Sequence, residues 1–311
     1  MKILIIKTSS LGDIVHCNPI ISDLNKNIGN LQVDWVVEKG FADLLKLFPI
    51  NKVILSDFRS WKKNILSFKS LSGLLDTKKI IKAGNYDAVI DCQGLIRTGI
   101  LSNLKNSHGY NKNSIKEPFA SFFYKNKINL SKKLHAIDRN RLLVAKALGY
   151  SINHDKPHFS LKIKPVNETK NQILFVTGTS NDKKKWSLTE WVELAKIFEA
   201  ENTKILLIWG NTKEYEDCLA IYDKTINTTI LPKTSIDNLA KEISYSKLVI
   251  GVDSGITHLA SAFGIPTVCI FKHSFPELTG LKSQETLSAN VGNYNSDPSI
   301  EDVLKKIQKI A

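Results

Sequence analysis

Short apolar runs alternate with stretches of helical periodicity along the whole chain. The apolar runs predict strands at 3–6, 33–37, 53–55, 88–91, 173–177, 205–209, 228–231, 248–252 and 267–271. The helical patterns fall at 14–26, 65–82, 136–148, 187–200, 213–223, 236–244 and 256–263. Strands that are separated by helices are typical of parallel sheets with right-handed crossovers.

A polar, lysine-rich break near 160–171 separates two series of strands and helices. We therefore predict an α/β protein with two Rossmann-like, doubly wound parallel-sheet domains, at 1–165 and 166–296. A ligand cleft between them is expected at the carboxyl ends of the strands. The segment 297–311 predicts a last helix, with Asp297 as its N-cap and Pro298 in its first turn, packing back toward the first domain.

Composition narrows the class of protein. The chain has 311 residues, 42% apolar and 23% charged, as in soluble globular proteins. Its cysteines lie far apart and form no CxxC pair, which indicates a reducing, cytoplasmic compartment and argues against a disulfide scaffold or a zinc ribbon. They are Cys17, Cys92, Cys218 and Cys269. No signal peptide or membrane span is predicted, because the apolar runs are too short.

The net charge of +13 is concentrated in one half of the chain. Residues 1–160 contain 25 Lys+Arg and 12 Asp+Glu, a balance of +13, whereas residues 161–311 contain 18 of each. A solvated lysine-rich surface is one interpretation, but a compositional bias would affect both halves. The first half is therefore expected to meet an anionic partner, such as nucleic acid, a lipid surface or a phosphorylated substrate. No nucleic-acid recognition motif accompanies the charge.

Several common motifs are absent from the sequence. There is no GxGxxG after the first strand, no GxxxxGK[ST], no HExxH, no GxSxG and no DxD. A typical dinucleotide fingerprint, a P-loop NTPase, a metalloprotease, a serine hydrolase and a metal-dependent sugar transferase are therefore unsupported.

The first candidate site follows the first predicted strand, in the string KTSSLGDIVH (7–16). A helix is expected to begin at about Gly12 or Asp13, which places Asp13 in the first helical turn. Aspartate at this position caps free amides and offsets the helix dipole, and taken alone this structural role is favoured. Asp13 would also face a cleft at the carboxyl end of the strand.

Two further strings follow strands in the second half. Thr179, Ser180 and Lys184 follow the strand at 173–177, where hydroxyls and an ammonium group suit phosphate binding; a solvated loop is the alternative. The string GVDSGITHL (251–259) begins a helix whose free amides would bind an anion, with His258 one turn along. A histidine buried in the core for structural reasons is the alternative there.

Together, these strings resemble the bacterial lipopolysaccharide heptosyltransferases, inverting glycosyltransferases of family nine with the two-domain GT-B fold. The resemblance is strongest to the heptosyltransferase I branch and spans both domains. The heptosyltransferase II branch typically opens around Trp-Val-Gly-Asp and lacks a DWVVEKGF-like stretch. The matching strings are KTSSLGDIVH (7–16), VDWVVEKGFA (33–42), YDAVIDCQGL (86–95), EPFASFFY (117–124), AKALGY (145–150), WG (209–210) and VDSGITHL (252–259).

The resemblance implies transfer of heptose from ADP-L-glycero-β-D-manno-heptose to a Kdo hydroxyl of Kdo2-lipid A, with no metal or cofactor. It implies that Asp13 is the general base, that Glu214 bonds the nucleotide ribose and that Asp253 bonds the heptose. The residues implied to stabilise the leaving diphosphate are Thr179, Ser180, Lys184, Ser254, Gly255 and His258.

The acceptor side matches the family less closely. Arg59, Lys62 and Lys63 lie in a segment that is also basic in the family, and Lys116 stands where arginine is common. Because Kdo2-lipid A carries phosphates and carboxylates within an anionic leaflet, the resemblance implies a monomeric protein, peripheral on the cytoplasmic face of the inner membrane, that binds no nucleic acid.

Two alternatives remain open at the level of sequence. The chain could act on a later core sugar, which acceptors with and without the first heptose would distinguish. It could instead be a non-catalytic module that binds nucleotide or anionic lipid, because a fold by itself does not imply catalysis.

Overall fold

Parallel strands joined by helices build both halves of the chain. The computed structural model describes residues 1–58, 68–153, 157–163, 169–283 and 287–310. The chain divides into two units, Met1–Lys162 and Ile163–Ala311. Each unit contains a six-stranded sheet whose neighbouring strands are all parallel. The predicted α/β class with two parallel sheets is therefore confirmed.

The sheet of the first unit is built around a strand that is apolar after its first residue. Its strands are β1 (Lys2–Ile6), β2 (Gln32–Glu38), β3 (Lys52–Ser56), β4 (Ala88–Asp91), β5 (Ser107–Tyr110) and β6 (Asn126–Ile128). They lie in the order β3-β2-β1-β4-β5-β6. Four successive side chains of β1, from Ile3 to Ile6, are fully buried. Since alternate side chains of a strand point to opposite faces, both faces of this sheet are covered at its centre.

Helices connect these strands. They are α1 (Leu11–Val15), α2 (Pro19–Asn27), α3 (Phe68–Ala83), α4 (Ile96–Ser102) and α5 (Ala136–Leu148), with 3-10 helices at Lys39–Leu47 and Pro118–Phe123. A buried, bidentate ion pair joins α5 to α2: Arg141 Nε lies 2.7 Å from Asp23 Oδ2, and Nη2 lies 3.0 Å from Oδ1. The planar guanidinium group matches the carboxylate, which fixes the two helices against each other.

The second unit repeats the same architecture. Its strands are β7 (Lys170–Val176), β8 (Lys204–Leu207), β9 (Thr228–Ile230), β10 (Ser246–Val252), β11 (Thr267–Lys272) and β12 (Ser288–Asn293). They lie in the order β12-β11-β10-β7-β8-β9. The rings of Phe175 and Trp186 pack against Trp191, with centroids 4.9 and 5.1 Å away, in the core beside this sheet.

The helices of the second unit follow its strands. They are α6 (Leu188–Ala200), α7 (Thr212–Tyr222), α8 (Ile236–Tyr245), α9 (Gly255–Ala262), α10 (Pro276–Thr279) and α11 (Ile300–Ile307), with a 3-10 helix at Asp182–Lys184. Across the parts of both units that the structure describes, no helix is both long and apolar enough to cross a membrane.

The order of the strands in each sheet indicates where ligands are expected to bind. In each sheet the order reverses between the first and the fourth strand of the unit, β1 and β4 in one and β7 and β10 in the other. In open, doubly wound sheets, ligands bind beyond the carboxyl ends of the strands at this reversal. The loops after β1, β4, β7 and β10 are therefore where functional side chains are expected.

Three strands were not predicted from the sequence: β5, β6 and β12. Their sequences are SHGY, NKI and SANVGN, which are short and mostly polar. Such segments show neither an apolar run nor a clear alternation, and their strand structure comes from pairing with a neighbour, β4 and β5 in the first unit and β11 in the second.

The N-cap predicted for the last helix is wrong. Its N-cap is Ser299 rather than Asp297, because Ser299 and Asp302 form a capping box, whereas Asp297 pairs with Lys272. The apolar face of this helix, centred on Val303, packs in the core of the second unit, and the Pro298 carbonyl accepts a hydrogen bond from the Trp186 indole there. Its packing toward the first domain stays a prediction.

Candidate active site

An aspartate lies between a lysine and a histidine at the carboxyl end of β10. Asp253 Oδ2 is 2.6 Å from Lys184 Nζ, and Asp253 Oδ1 is 3.1 Å from His258 Nε2. Lys184 comes from the segment after β7, and His258 from the first turns of α9. Asp253 and His258 are buried, whereas Lys184 is 27% exposed. The cluster is thus open to solvent through its lysine.

Charge pairing determines the ionisation of Asp253. Burial by itself raises the pKa of this carboxyl, but the hydrogen bonds and charges of His258 and Lys184 outweigh burial and hold the pKa well below its usual range. Asp253 is therefore ionised at neutral pH. Its negative charge orients the lysine and the histidine that flank it.

Replacing Asp253 with asparagine is expected to lower the free energy of unfolding by about 3 kcal/mol at pH 7, because the flanking side chains lose their buried carboxylate. A carboxyl whose pKa is depressed in the folded state contributes stability above the unfolded pKa, about 3.9, and loses it as the pH falls toward the folded value. The difference between the wild type and the variant should therefore be constant from pH 7 to about 5 and shrink below about pH 4.

Urea unfolding across this pH range measures that difference. Asp223→Asn, at the exposed end of α7, is the matched control and should change stability by no more than about 0.5 kcal/mol at any pH. If the loss for Asp253→Asn were as large at pH 3.5 as at pH 7, the ion pair would not be its cause.

The loop after β7 is tied to the same cluster. Thr179 Oγ1 donates a hydrogen bond to the backbone carbonyl of Asp253, at 3.2 Å. Ser180 follows it in the chain and is exposed. The predicted phosphate-binding loop and the predicted anion-binding turn therefore meet at the strand-order reversal of the second unit.

The start of α9 supplies backbone donors next to Asp253. Ser254 is the N-cap of this helix, and its hydroxyl lies 3.1 Å from Thr257 Oγ1, which donates to the Val252 carbonyl. Amides in a first helical turn have no acceptor within the helix, so the Gly255 amide can bind an anion. Gly251 makes room for this arrangement, because a Cβ there would lie 2.3 Å from Thr257 Oγ1.

Glu214 lies in the first turn of α7, against two glycines. Its Oε2 accepts the N–H of Gly210 at 2.7 Å, and its own N–H is capped by Asn211. A Cβ on Gly178 would lie only 2.5 Å from Glu214 Cδ. Because Gly178 immediately precedes Thr179, this carboxylate is placed beside the loop after β7.

In the first unit, Asp13 is the third residue of α1 and is partly exposed. Its Oδ2 accepts hydrogen bonds from the Ser10 amide, at 2.8 Å, and from Ser10 Oγ, at 2.9 Å. The capping role considered for Asp13 is therefore real. The partly exposed carboxylate also follows β1, at the strand-order reversal of this unit.

A family model described as glycosyltransferase family 9 (heptosyltransferase) matches residues 74–308. Lipopolysaccharide heptosyltransferase 1 of Escherichia coli strain K12 is 32% identical, over 97% of this chain and 98% of its own length. The enzyme of the same description from Pseudomonas aeruginosa is also 32% identical, over 90% of this chain and 81% of its own length. The chain belongs to glycosyltransferase family 9.

Solved structures agree with this family 9 assignment. E. coli heptosyltransferase WaaC with ADP has a TM-score of 0.90 at 30% identity, and each chain is covered completely. E. coli ADP-heptose lps heptosyltransferase II has a TM-score of 0.80 at 17% identity, and the match covers all of this chain and 98% of that one. At this identity, the likeness shows the fold alone. The predicted family and the GT-B fold class are confirmed.

The structure of this family 9 chain gathers the predicted donor-side residues in one unit. Lys184, Asp253 and His258 are bonded to one another, Thr179 is bonded to the Asp253 backbone, and Ser254 and Gly255 follow Asp253 directly. Of the predicted acceptor residues, Lys116 is exposed, and Arg59, Lys62 and Lys63 lie outside the described residues. Within the described ranges, no group of three His, Cys, Asp or Glu side chains is arranged to hold a metal ion.

Sequence reasoning missed two residues that shape this family 9 site. Gln93, after β4, accepts the N–H groups of Thr8 and Ser9 through Oε1, at 2.9 and 3.1 Å, and so joins the loop that precedes Asp13 to β4. Thr257 supports the start of α9, as described above. The polar run after the predicted strand at 88–91 could have indicated Gln93, but nothing in the sequence distinguishes Thr257 from an ordinary helix residue.

Proposed function

We propose that this glycosyltransferase transfers L-glycero-D-manno-heptose from ADP-heptose to a Kdo hydroxyl of Kdo2-lipid A, in the inner core of lipopolysaccharide or lipooligosaccharide. The 32% identity with E. coli lipopolysaccharide heptosyltransferase 1, over 97% of this chain, supports the choice of substrates. The observation that carries the proposal is the Lys184–Asp253–His258 cluster at the strand-order reversal of the second unit. E. coli WaaC with ADP-2-deoxy-2-fluoro heptose has a TM-score of 0.87, at 30% identity and with both chains fully covered, which supports the choice of donor.

In the proposed reaction, the acceptor hydroxyl oxygen bonds to the anomeric carbon of the heptose as the bond from that carbon to the diphosphate oxygen breaks. Asp13 takes the proton of the hydroxyl, and ADP leaves with the electron pair of the broken bond, so that the anomeric configuration inverts. The carboxylate accepts the proton late, as the hydroxyl becomes acidic in the transition state. Its partial exposure leaves it accessible to an acceptor.

Charge that develops on the leaving diphosphate requires fixed donors. Lys184 has three N–H donors, one of which is directed to Asp253, so the others are available for phosphate oxygens. We assign Thr179, Ser180, His258 and the amides at Ser254 and Gly255 to the same role. Donors that are already in place lower the barrier because they need no reorganisation during the reaction.

The other proposed contacts to ADP-heptose follow from the same arrangement. Glu214, beside the loop after β7, is assigned to the nucleotide ribose, since a carboxylate accepts hydrogen bonds from ribose hydroxyls. Asp253 is assigned to the heptose hydroxyls. Its ionisation, maintained by Lys184 and His258, keeps it an acceptor.

The acceptor side is assigned to the basic first half of the chain. Arg59, Lys62, Lys63 and Lys116 are proposed to bind the phosphates and carboxylates of Kdo2-lipid A. The balance of 25 basic and 12 acidic residues within 1–160 supports this assignment. We further propose that the protein acts as a monomer, bound peripherally to the cytoplasmic face of the inner membrane through this charge.

Incubation with ADP-heptose and Kdo2-lipid A, followed by mass spectrometry of the lipid, tests the proposed function. Addition of one heptose is expected. The same incubation with an acceptor that already carries the first heptose should give no product. Transfer to the second acceptor alone would assign a later core sugar, and ADP-heptose binding without transfer to either would indicate a non-catalytic module.

Chelation of divalent metals is expected to leave the transfer rate within about twofold of the rate without chelator. In the proposed reaction, Lys184, His258 and helix amides stabilise the negative charge on the leaving diphosphate. The assay is the same transfer reaction with excess EDTA. A parallel sample with EDTA and added Mg²⁺ controls for effects of the chelator on the lipid. Loss of activity with EDTA that Mg²⁺ or Mn²⁺ restores would contradict the assigned electrostatics.

A further inference from the structure

Two phenylalanines project into solvent from the first unit. Phe119 and Phe122 are 69% and 71% exposed, and their ring centroids are 6.0 Å apart. Phenylalanine is ordinarily buried, because water solvates its ring poorly. An adjacent pair of exposed rings marks a surface that contacts another apolar body.

The 3-10 helix Pro118–Phe123 presents both rings on one side. Such a helix has three residues per turn, so positions 119 and 122 share a face. Ala120 and Ser121 are buried, and a Cβ on Gly99 of α4 would lie 3.0 Å from both the Ala120 carbonyl oxygen and the Phe123 ring. The helix is therefore seated closely on α4, and its exposed face is held in position.

The start of this 3-10 helix is fixed by a hydrogen bond. The N–H of Ile96, at the beginning of α4, donates to Glu117 Oε2 at 2.8 Å. Glu117 is the only acidic residue between positions 111 and 137, a segment that contains six lysines. Its carboxylate is thus engaged with the backbone of α4.

Lysines flank the two rings in the sequence, and one of them lies beside a ring. Lys116, Lys125 and Lys127 are exposed, and Lys127 Nζ lies 5.9 Å from the centre of the Phe122 ring. The patch, defined by Phe119, Phe122 and these three lysines, combines an apolar centre with a positive rim. This combination is complementary to a surface with anionic headgroups above an apolar layer.

We propose that Phe119 and Phe122 insert into the interface of an anionic lipid bilayer while the lysines of the patch bind its headgroups. The inference rests on the peripheral membrane binding proposed above and gives it a contact surface. The two rings expose roughly 300 Å², well below the ~800 Å² per partner of a stable protein interface. The positive rim would also repel a second copy of the chain.

Vesicle sedimentation of the full-length protein tests the apolar contribution. The double variant Phe119→Ser, Phe122→Ser is expected to bind vesicles of phosphatidylcholine with 30% phosphatidylglycerol at least about tenfold more weakly than the wild type. Ile226→Ser is the matched control, because Ile226 is 93% exposed in the second unit; its binding should be unchanged. Wild-type binding by the double variant, or an equal loss in the control, would overturn the proposal.

Insertion itself can be observed with a fluorescent label. The native cysteines are all buried, so Phe119→Cys provides a selectively reactive thiol for an environment-sensitive dye such as NBD. Emission should rise and shift to shorter wavelength with the anionic vesicles but not with pure phosphatidylcholine, and a dye at Ile226→Cys should not respond. If the labelled protein sedimented with the anionic vesicles but its emission did not change, insertion would be overturned. A response without vesicles, accompanied by dimerisation in solution, would assign the patch to a second copy.

Activity measurements separate this proposal from the proposed reaction. The double variant should transfer heptose to a water-soluble, deacylated acceptor at the wild-type rate and lose activity only with acceptor embedded in vesicles. Equal losses on both acceptors would overturn the membrane role. If the wild type transferred heptose to neither, the proposed reaction would fail, and the vesicle experiments would still decide whether the patch binds membranes.

Discussion

Replacing Asp13 with asparagine is expected to lower the turnover number about 100-fold or more and to leave the affinity for ADP-heptose nearly unchanged. The substitution removes the negative charge that accepts the proton in the proposed reaction. It keeps a side-chain oxygen at the position where Asp13 Oδ2 accepts hydrogen bonds from Ser10, so the helix cap is largely retained. Steady-state kinetics with both substrates and calorimetry with ADP-heptose measure the two effects.

A second capping box in the chain provides the matched control for Asp13. Asp302 Oδ2 accepts hydrogen bonds from the Ser299 amide and hydroxyl at 3.0 and 2.8 Å, nearly the geometry of Ser10 and Asp13. Asp302→Asn should lower stability slightly and leave turnover unchanged. If Asp13→Asn behaved in the same way, Asp13 would be a helix cap without a role in proton transfer.

Replacing Lys184 with alanine is expected to weaken ADP binding about 10- to 100-fold and also to slow the reaction. A charge-assisted hydrogen bond to phosphate is worth about 1.5–3 kcal/mol, and in the proposed reaction the lysine contacts the diphosphate both before and during bond breaking. Isothermal titration with ADP and single-turnover rates at saturating donor separate the two effects.

The neighbouring lysine offers a control for Lys184. Lys185 Nζ lies 2.5 Å from Asp217 Oδ2 and 3.7 Å from Asp182 Oδ1, in a separate pair of contacts. Lys185→Ala should lower stability without changing ADP affinity. A similar loss of ADP affinity in both variants would mean that general positive charge, or folding of the loop, explains the effect of Lys184→Ala.

The central strands could be predicted from the sequence because burial on both faces makes them continuous apolar runs. Ile3–Ile6 and the run 248–252 are examples, and both lie at the centres of their sheets. The strand β12 could not be predicted in this way, because SANVGN is ordered by pairing with β11 rather than by its own pattern.

The candidate site was predicted residue by residue but not as a bonded cluster. Lys184 and Asp253 are 69 positions apart, and each follows a strand that the pattern predicted. That these strands are neighbours follows from the sheet order, which no local pattern contains. The ion pair, and with it the depressed pKa of Asp253, becomes visible only when the fold brings the two loops together.

Gln93 and Thr257 were missed for a related reason. Their hydrogen bonds go mainly to backbone atoms of other loops or of the preceding strand, as Gln93 Oε1 does with Thr8 and Ser9. A residue type that is common on any surface gives no signal of such a role. Its importance depends on which backbone groups the tertiary structure leaves in need of a partner.

The two units share one strand order, so that loops after equivalent strands begin at equivalent places in their sheets. After the first strand of each unit, one loop leads to a carboxylate at Asp13 and the other to an ammonium group at Lys184. The strands fix where the loops end, while the loop residues remain free to change. Duplication of such a domain would supply a second set of loops without disturbing the first. A negatively charged group and a positively charged group can then evolve at equivalent places of two sheets with the same strand order.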